Sequence, residues 1–230
     1  MSRATKAVIT LVSIAIAVAC WHVLWHRLKN PDSFPIQHIA VTCPCQNLTE
    51  PMIQDTIAPL ATKGFFGIPL NVLRNNLASL PGVSQVMIHR QWPDTLNVQI
   101  QVLQPVARWG AHSLVSNTGV IFPRIQNAWG GLPQISAPDT DAAQAVAVLD
   151  LAQKQLFSDQ LQVTALSEEP YISWSVQVSN PTQSPFWMIL GLDNLPIKLQ
   201  RFSIAYPALI ATQQTLSRVD LRYPNGIAVR

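Results

Sequence analysis

Clustered basic charge is missing from this sequence. Only 12% of its 230 residues are charged, and four of the fifteen Lys and Arg (Arg3, Lys6, Arg27, Lys29) fall at the start. Beyond residue 30, eleven basic residues stand against twelve acidic ones, so the formal +3 of the whole chain becomes −1 there. Nucleic-acid binding needs a basic stripe or patch, and that class of partner is excluded. Glycine is also scarce, with nine residues. No glycine-rich phosphate loop occurs, nor a GxSxG elbow, an HExxH helix or paired CxxC motifs. His22 and His26 border an apolar run, while His38, His89 and His112 fall in separate predicted strands or loops. No nucleophile and carboxylate gather around any of them, so no catalytic residue, cofactor or metal is expected.

Three cysteines supply neither a disulfide framework nor a metal centre. Cys20 lies in the apolar run, and Cys43 and Cys45 flank Pro44. Zinc sites take four ligands in pairs of longer spacing. A bridge across one residue is expected to distort the usual Cα separation. Two readings remain: a proline-bearing loop after a strand, or a strained, reducible disulfide. Eighteen prolines against nine glycines point to defined strand ends rather than flexible linkers.

What is present begins with an uncharged stretch, 7–26, between Lys6 and Arg27, in which nine residues are Val, Ile or Leu. At roughly 0.3 to 0.6 kcal/mol each, these favour membrane insertion by about 3 to 5 kcal/mol. The length matches one helical crossing of about 30 Å of hydrocarbon. Trp21 and Trp25 stand at the far interface, with Arg27 and Lys29 beyond them. Basic residues flank both ends, so the positive-inside bias hardly decides orientation. A short tail, 1–6, and a long remainder suggest a cytoplasmic N-terminus and an exported body. A cleaved signal peptide is the alternative, hinted at by Ala17-Val18-Ala19-Cys20, although the apolar run continues through Trp25.

After a linker at 27–34, Phe34 to Thr42 alternates as a first strand. Thr49 is placed to cap a helix with Pro51 in its first turn and Ile53, Ile57 and Leu60 on one face. Leu70, Leu73, Leu77 and Leu80 form the stripe of a second helix, ended by Pro81-Gly82. Val83 to Trp109 opens with two strands joined at Trp92-Pro93-Asp94-Thr95. Val98, Ile100 and Val102 alternate with Asn97, Gln99 and Gln101, a half-buried strand pattern. Pro93 fixes φ and Asp94 bonds its own backbone, so the turn makes an antiparallel hairpin, with Trp92 covering one end of the sheet.

From residue 106 a second body is predicted. Leu114 to Ile121 reads as strand, turn and strand, and Asp139 to Phe157 as a helix bearing Ala142, Val146, Leu149 and Leu156. Strands follow at Leu161 to Glu168, Tyr171 to Val178 and Phe186 to Gly191. Leu195, Leu199, Phe202, Tyr206 and Leu209 give a core-facing helix that Pro207 should kink or shorten. Leu216 to Arg222, a Tyr223-Pro224-Asn225-Gly226 turn and Ile227 to Arg230 close the chain. The terminal strand admits two arrangements: an open edge that accepts a partner strand, or a place protected inside the sheet.

The single apolar N-terminal segment, the strand-helix-helix-strand-strand order of a POTRA domain over 35–105, QWPD at 91–94, PVARW at 105–109 and the terminal VDLRYPNGIAV together resemble the FtsQ family of bacterial cell division proteins, called DivIB in other bacteria. The resemblance implies an α+β protein: one transmembrane helix, a small β-α-α-β-β POTRA domain and a C-terminal β-rich domain, 106–230, of mainly antiparallel sheet with packed helices. It implies a non-catalytic scaffold in the bacterial inner membrane, single-pass, with its bulk in the periplasm at the division septum. It further implies binding of FtsB, with FtsL, by strand addition through Arg222, Tyr223, Asn225, Gly226 and Ala228, and recruitment of other division proteins through the POTRA domain. Gln91, Trp92, Pro93 and Asp94 mark the hairpin. Arg108 and Trp109 mark the domain junction, where a cation–π or packed contact would fix the angle between the bodies. A POTRA-type chaperone of envelope protein biogenesis is the alternative, and an anchored envelope hydrolase built on His89 or His112 is a further one.

Overall fold

The computed structural model describes residues 3–29, 34–127, 129–169, 173–180, 183–211, 216–224 and 226–230; in the first helix, side chains are described from Val12 onward, save Leu24, His26, Leu28 and Lys29. Contacts divide the chain into two units, Met1–Val102 and Leu103–Arg230.

The first unit opens with helix α1, Arg3–Lys29. Its described apolar side chains are bare, with Ile16, Val18 and Val23 each more than half exposed. Among the described residues no helix is long and apolar enough to cross a membrane; the predicted span 7–26 starts ahead of the first described side chain.

A small α/β body follows: β1 (His38–Thr42), α2 (Glu50–Ala61), α3 (Leu70–Ala78), β2 (Val83–Gln91) and β3 (Thr95–Val102). The sheet runs β1-β3-β2, with β1 parallel to β3 and β2 antiparallel to it. The predicted alternation in β3 holds: Leu96, Val98 and Ile100 are buried beneath Ile53, Ile57, Leu73 and Leu77 of the helices. Gly82, at φ +78°, ends the α3 connection in a left-handed conformation that only glycine adopts freely.

Four expectations for this body need correction. The first strand starts at His38, four residues later than predicted. Thr49 occupies the N-cap position of α2 but makes no side-chain cap hydrogen bond; the first-turn carboxylate of Glu50 faces the helix dipole instead. Trp92 does not cover the sheet: it is 74% exposed, because the turn is tied through its neighbours rather than through the indole. Cys43 and Cys45 are joined as a disulfide with Cα atoms 5.0 Å apart, inside the usual span for a bridge, so the expected distortion of that separation is absent.

The second unit carries a nine-stranded sheet formed by β4 (Pro105–Trp109), β5 (Ser113–Ser116), β6 (Ile121–Pro123), β7 (Gln134–Ser136), β8 (Gln162–Glu169), β9 (Ser173–Asn180), β10 (Gln183–Gly191), β11 (Arg218–Asp220) and β12 (Ala228–Val229). The order is β12-β11-β10-β9-β8-β7-β4-β5-β6. Five neighbouring pairs are antiparallel and three are parallel. Helices α4 (Ala142–Leu156) and α5 (Leu195–Ala211) pack on it. Trp174, Val176 and Val178 are fully buried at alternate positions of β9, and Leu199, Phe202 and Tyr206 of α5 meet them in one core. Ile172, predicted as the next member of that alternation, lies outside the described residues. Helix α5 continues through Pro207 to Ala211, so the expected shortening does not occur. The closing strands are shorter than predicted, three and two residues long.

Candidate partner-docking edge

The last two strands form a ribbon at one margin of the large sheet. β11 lies parallel to β10, with Trp187↔Arg218, Met188↔Val219 and Ile189↔Asp220 in register. Val219 and Leu221 are buried and fasten this side to the core. β12 runs antiparallel to β11, with Val219↔Val229 and Asp220↔Ala228 opposed. Among the described residues no strand lies beyond β12. An edge of this kind presents backbone N–H and C=O groups without ladder partners.

So short a ladder needs bracing, and polar groups supply it. The Arg230 carbonyl accepts from the backbone N–H of Ser217 (2.9 Å) and Arg218 (3.1 Å), and Arg230 N–H donates to the Arg218 carbonyl (2.9 Å). Ser217 Oγ adds a bond to the same carbonyl at 2.7 Å. At the other end, the Arg222 guanidinium forks onto Asp220, with Nη2 2.6 Å from Oδ2 and Nε 3.0 Å from Oδ1. The Arg222 backbone N–H also donates to Asp220 Oδ1. The Arg222 bond holds the Asp220 carboxyl below the usual carboxylate range, against an opposing push from burial. The guanidinium is correspondingly raised, first by its bond to Asp220.

Helix α5 reaches the same place. Arg201 Nη1 donates to the Tyr223 carbonyl at 2.9 Å, which leaves the Tyr223 side chain 55% exposed beside the ribbon. One turn earlier, buried Lys198 donates to the Leu190 carbonyl (3.0 Å) and Asp193 Oδ1 (2.8 Å), bracing the β10–α5 connection. Gly191 there has φ +80°, and a Cβ on it would lie 2.9 Å from Lys198 Nζ. A Cβ built on Gly226 meets nothing within 4 Å, so the space beside it is open. Ala228 is exposed and Val229 is 41% exposed. Asn225 lies outside the described residues.

Arg222, Tyr223, Gly226 and Ala228 are therefore gathered at one edge. The other residues singled out from sequence stand elsewhere. Gln91 Oε1 accepts from Asn97 Nδ2 (2.8 Å), the Asp94 carbonyl accepts from Gln37 N–H (3.1 Å), and Thr95 Oγ1 donates to Asp94 Oδ1 (3.0 Å). Trp92-Pro93 is a cis peptide at the tip. Arg108 Nε donates to the Leu132 carbonyl (3.1 Å) and Trp109 Nε1 to Asp139 Oδ1 (2.7 Å), so both side chains have partners inside the second unit. Sequence reasoning missed Asp220, Ser217, Arg201 and Lys198. Asp220 alone left a trace, as an acid two residues before Arg222 in the predicted strand Leu216 to Arg222, where side chains two apart would share a face. Among the described residues no group of three or more His, Cys, Asp or Glu is placed to hold a metal ion.

Two family models match the chain: the FtsQ-type POTRA domain over 34–101 and the FtsQ/DivIB C-terminal domain over 107–222. The chain belongs to the FtsQ/DivIB family. Among FtsQ relatives, the cell division protein FtsQ of Coxiella burnetii is 30% identical over 205 residues, covering 88% of this chain and 83% of its own length. That of Thioalkalivibrio sp. is 31% identical over 213 residues, covering 90% and 85%. The FtsQ of Xanthomonas campestris is 27% identical over 232 residues, spanning the whole of this chain and 81% of its own. This is thus an FtsQ-type cell division protein with a POTRA domain and a mixed α/β C-terminal domain.

Proposed function

We propose that this chain is a non-catalytic, membrane-anchored scaffold of the division machinery that holds FtsB, together with FtsL, by strand addition to β12. The observation that carries this reading is the open outer side of β12 at the sheet margin, next to exposed Tyr223 and the empty space at Gly226. Main-chain hydrogen bonds would give affinity, and the alternating side chains of the incoming strand would give specificity. Helix α1 supplies the anchor: it is uncharged between Lys6 and Arg27, and its described apolar side chains are exposed. The bulk of the chain then lies in the periplasm of the inner membrane, at the septum. Confinement to that layer raises the effective concentration of partners without any new contact.

The test is copurification of FtsB and FtsL with Tyr223→Ala and Gly226→Val. Each variant is expected to weaken binding tenfold or more, about 1.4 kcal/mol or above. The fold should be untouched, since a Cβ at Gly226 meets nothing within 4 Å and the Tyr223 side chain is exposed. Full binding by both variants ends the proposal. Resistance of the full chain to alkaline extraction from membranes tests the anchor separately.

A second reading, a chaperone or assembly role of the POTRA unit in envelope biogenesis, is favoured by one observation. β1 is an edge strand, and Ile39 and Val41 on it are 39% and 41% exposed above a groove against α2 lined by Ile53 and Ile57. Measurable affinity for unfolded outer-membrane barrel strands would support that role, and none would remove it.

A further inference from the structure

One end of the POTRA unit gathers aromatic residues where the chain arrives from α1. Phe34 is fixed there, its carbonyl accepting from Phe65 N–H at 2.8 Å. Its ring meets Phe66 edge-on, with centroids 5.4 Å apart. Arg90 ties the α2–α3 connection to the same place, Nε donating to the Phe65 carbonyl (2.8 Å) and Nη2 to the Ile68 carbonyl (2.9 Å). Two residues after Arg90 comes Trp92, and the Asp94 carbonyl takes the N–H of Gln37 at the entrance to β1. Trp92, Phe66, Phe34 and the exposed Lys63 thus belong to one hydrogen-bonded end of the body. Trp92 is 74% and Phe66 40% exposed.

We infer that this end is a membrane-resting surface, with Trp92 and Phe66 seated in the headgroup region of the leaflet from which α1 emerges. The inference rests on the proposed anchoring by α1. Chain length supplies the first argument: four residues lie between Lys29 and the fixed Phe34, five Cα steps with a reach of at most about 17 Å. This end of the body is therefore held close to the bilayer by connectivity alone. Chemistry supplies the second. Trp is enriched at membrane interfaces because its ring is apolar and its N–H is polar. The nearby cations, Arg27 and Lys29 on α1 and Lys63 on the body, suit an anionic phospholipid surface. Of the two acids near this end, Asp94 is engaged by the Thr95 hydroxyl, and Asp32, in the linker, lies outside the described residues. The third argument is the tying itself: Gln91 and Asp94 hold the turn, so the indole is spared for an outside contact.

The test reconstitutes the full chain in phosphatidylethanolamine–phosphatidylglycerol vesicles made with ordinary or brominated acyl chains, and compares tryptophan emission of the wild type with W92F. The emission that W92F removes is expected to be quenched by the brominated lipid. W92F should fold normally, as the indole touches little of the protein. A W21F/W25F variant reports the anchor in the same vesicles. Quenching of Trp21 and Trp25 with none at Trp92 overturns the membrane-resting surface and leaves the anchor standing. Absence of quenching at all three positions overturns the anchor and this inference together.

Discussion

Two antiparallel ribbons, β2–β3 and β11–β12, are built on opposite principles. The first is paired from Val83↔Val102 to Gln91↔Thr95 and buries Leu96, Val98 and Ile100 beneath two helices. The second is paired at Val219↔Val229 and Asp220↔Ala228 and extended by the bonds that Arg218 and Arg230 exchange, and both residues of its outer strand are exposed. The first ribbon is held by what lies under both its strands; in the second, β11 is fastened by buried Val219 and its outer strand hangs from it by a few polar braces. A strand with a buried face is fixed in register by hydrophobic burial. One without such a face depends on the edge of the sheet and stays open to completion.

Breaking the two ribbons should therefore cost very different amounts. Leu96→Ala is expected to remove about 3 kcal/mol from the urea-unfolding free energy of the POTRA unit, whereas Val229→Ala should change stability by less than about 0.5 kcal/mol. Comparable losses from both would erase the distinction. The arginines sharpen it. Arg90→Ala leaves the Phe65 and Ile68 carbonyls without their charged donor and should cost about 2 kcal/mol in the same experiment. Arg222→Ala breaks a solvent-screened pair, the arginine side chain being 46% exposed, and should shift the unfolding midpoint far less than Arg90→Ala does.

Acid provides a finer probe. The pKa of Asp220 is depressed in the folded chain, first by the Arg222 hydrogen bond, so the folded state binds its proton less readily than the unfolded one. Its stabilisation is fully present above the ordinary aspartate pKa of about 3.9 and is lost as pH falls through the depressed value. The melting temperature of D220N should sit below wild type at neutral pH and converge on it in strong acid. Glu168 runs the other way and is the smallest expected effect. Burial, then the charge of Asp141, raises its pKa, so the charged form is disfavoured in the folded chain and stability falls as pH rises through the raised value. E168Q is expected to melt slightly higher than wild type at neutral pH, an advantage that disappears once the wild-type carboxyl is protonated.

Periodicity made most of the buried framework legible. The alternation around Val98 and Ile100 and the stripe of Leu199, Phe202 and Tyr206 each mark a face that must be covered. Trp92 shows the limit of that reasoning: a large aromatic at a hairpin tip reads as a lid, and only coordinates reveal that hydrogen bonds at Gln91 and Asp94 secure the turn without it. β7 escaped because three residues carry no period; it exists through its parallel neighbours β4 and β8. Family motifs marked Arg222, Tyr223 and Gly226, but the support of Tyr223 lies 22 residues back at Arg201, and Ser217, just ahead of β11, braces Arg230 from 13 residues away. Long-range hydrogen bonds leave no spacing to read.

The parallel junction between β10 and β11 has a mechanical consequence. A strand joined to β12 would become the tenth member of a continuous nine-stranded sheet, so tension along it would load the ladder in shear, stretching its hydrogen bonds together rather than peeling them singly. The weakest rung in that line is β11–β12, and Ser217, gripping the Arg230 carbonyl with both its amide and its hydroxyl, is the rivet that keeps it closed.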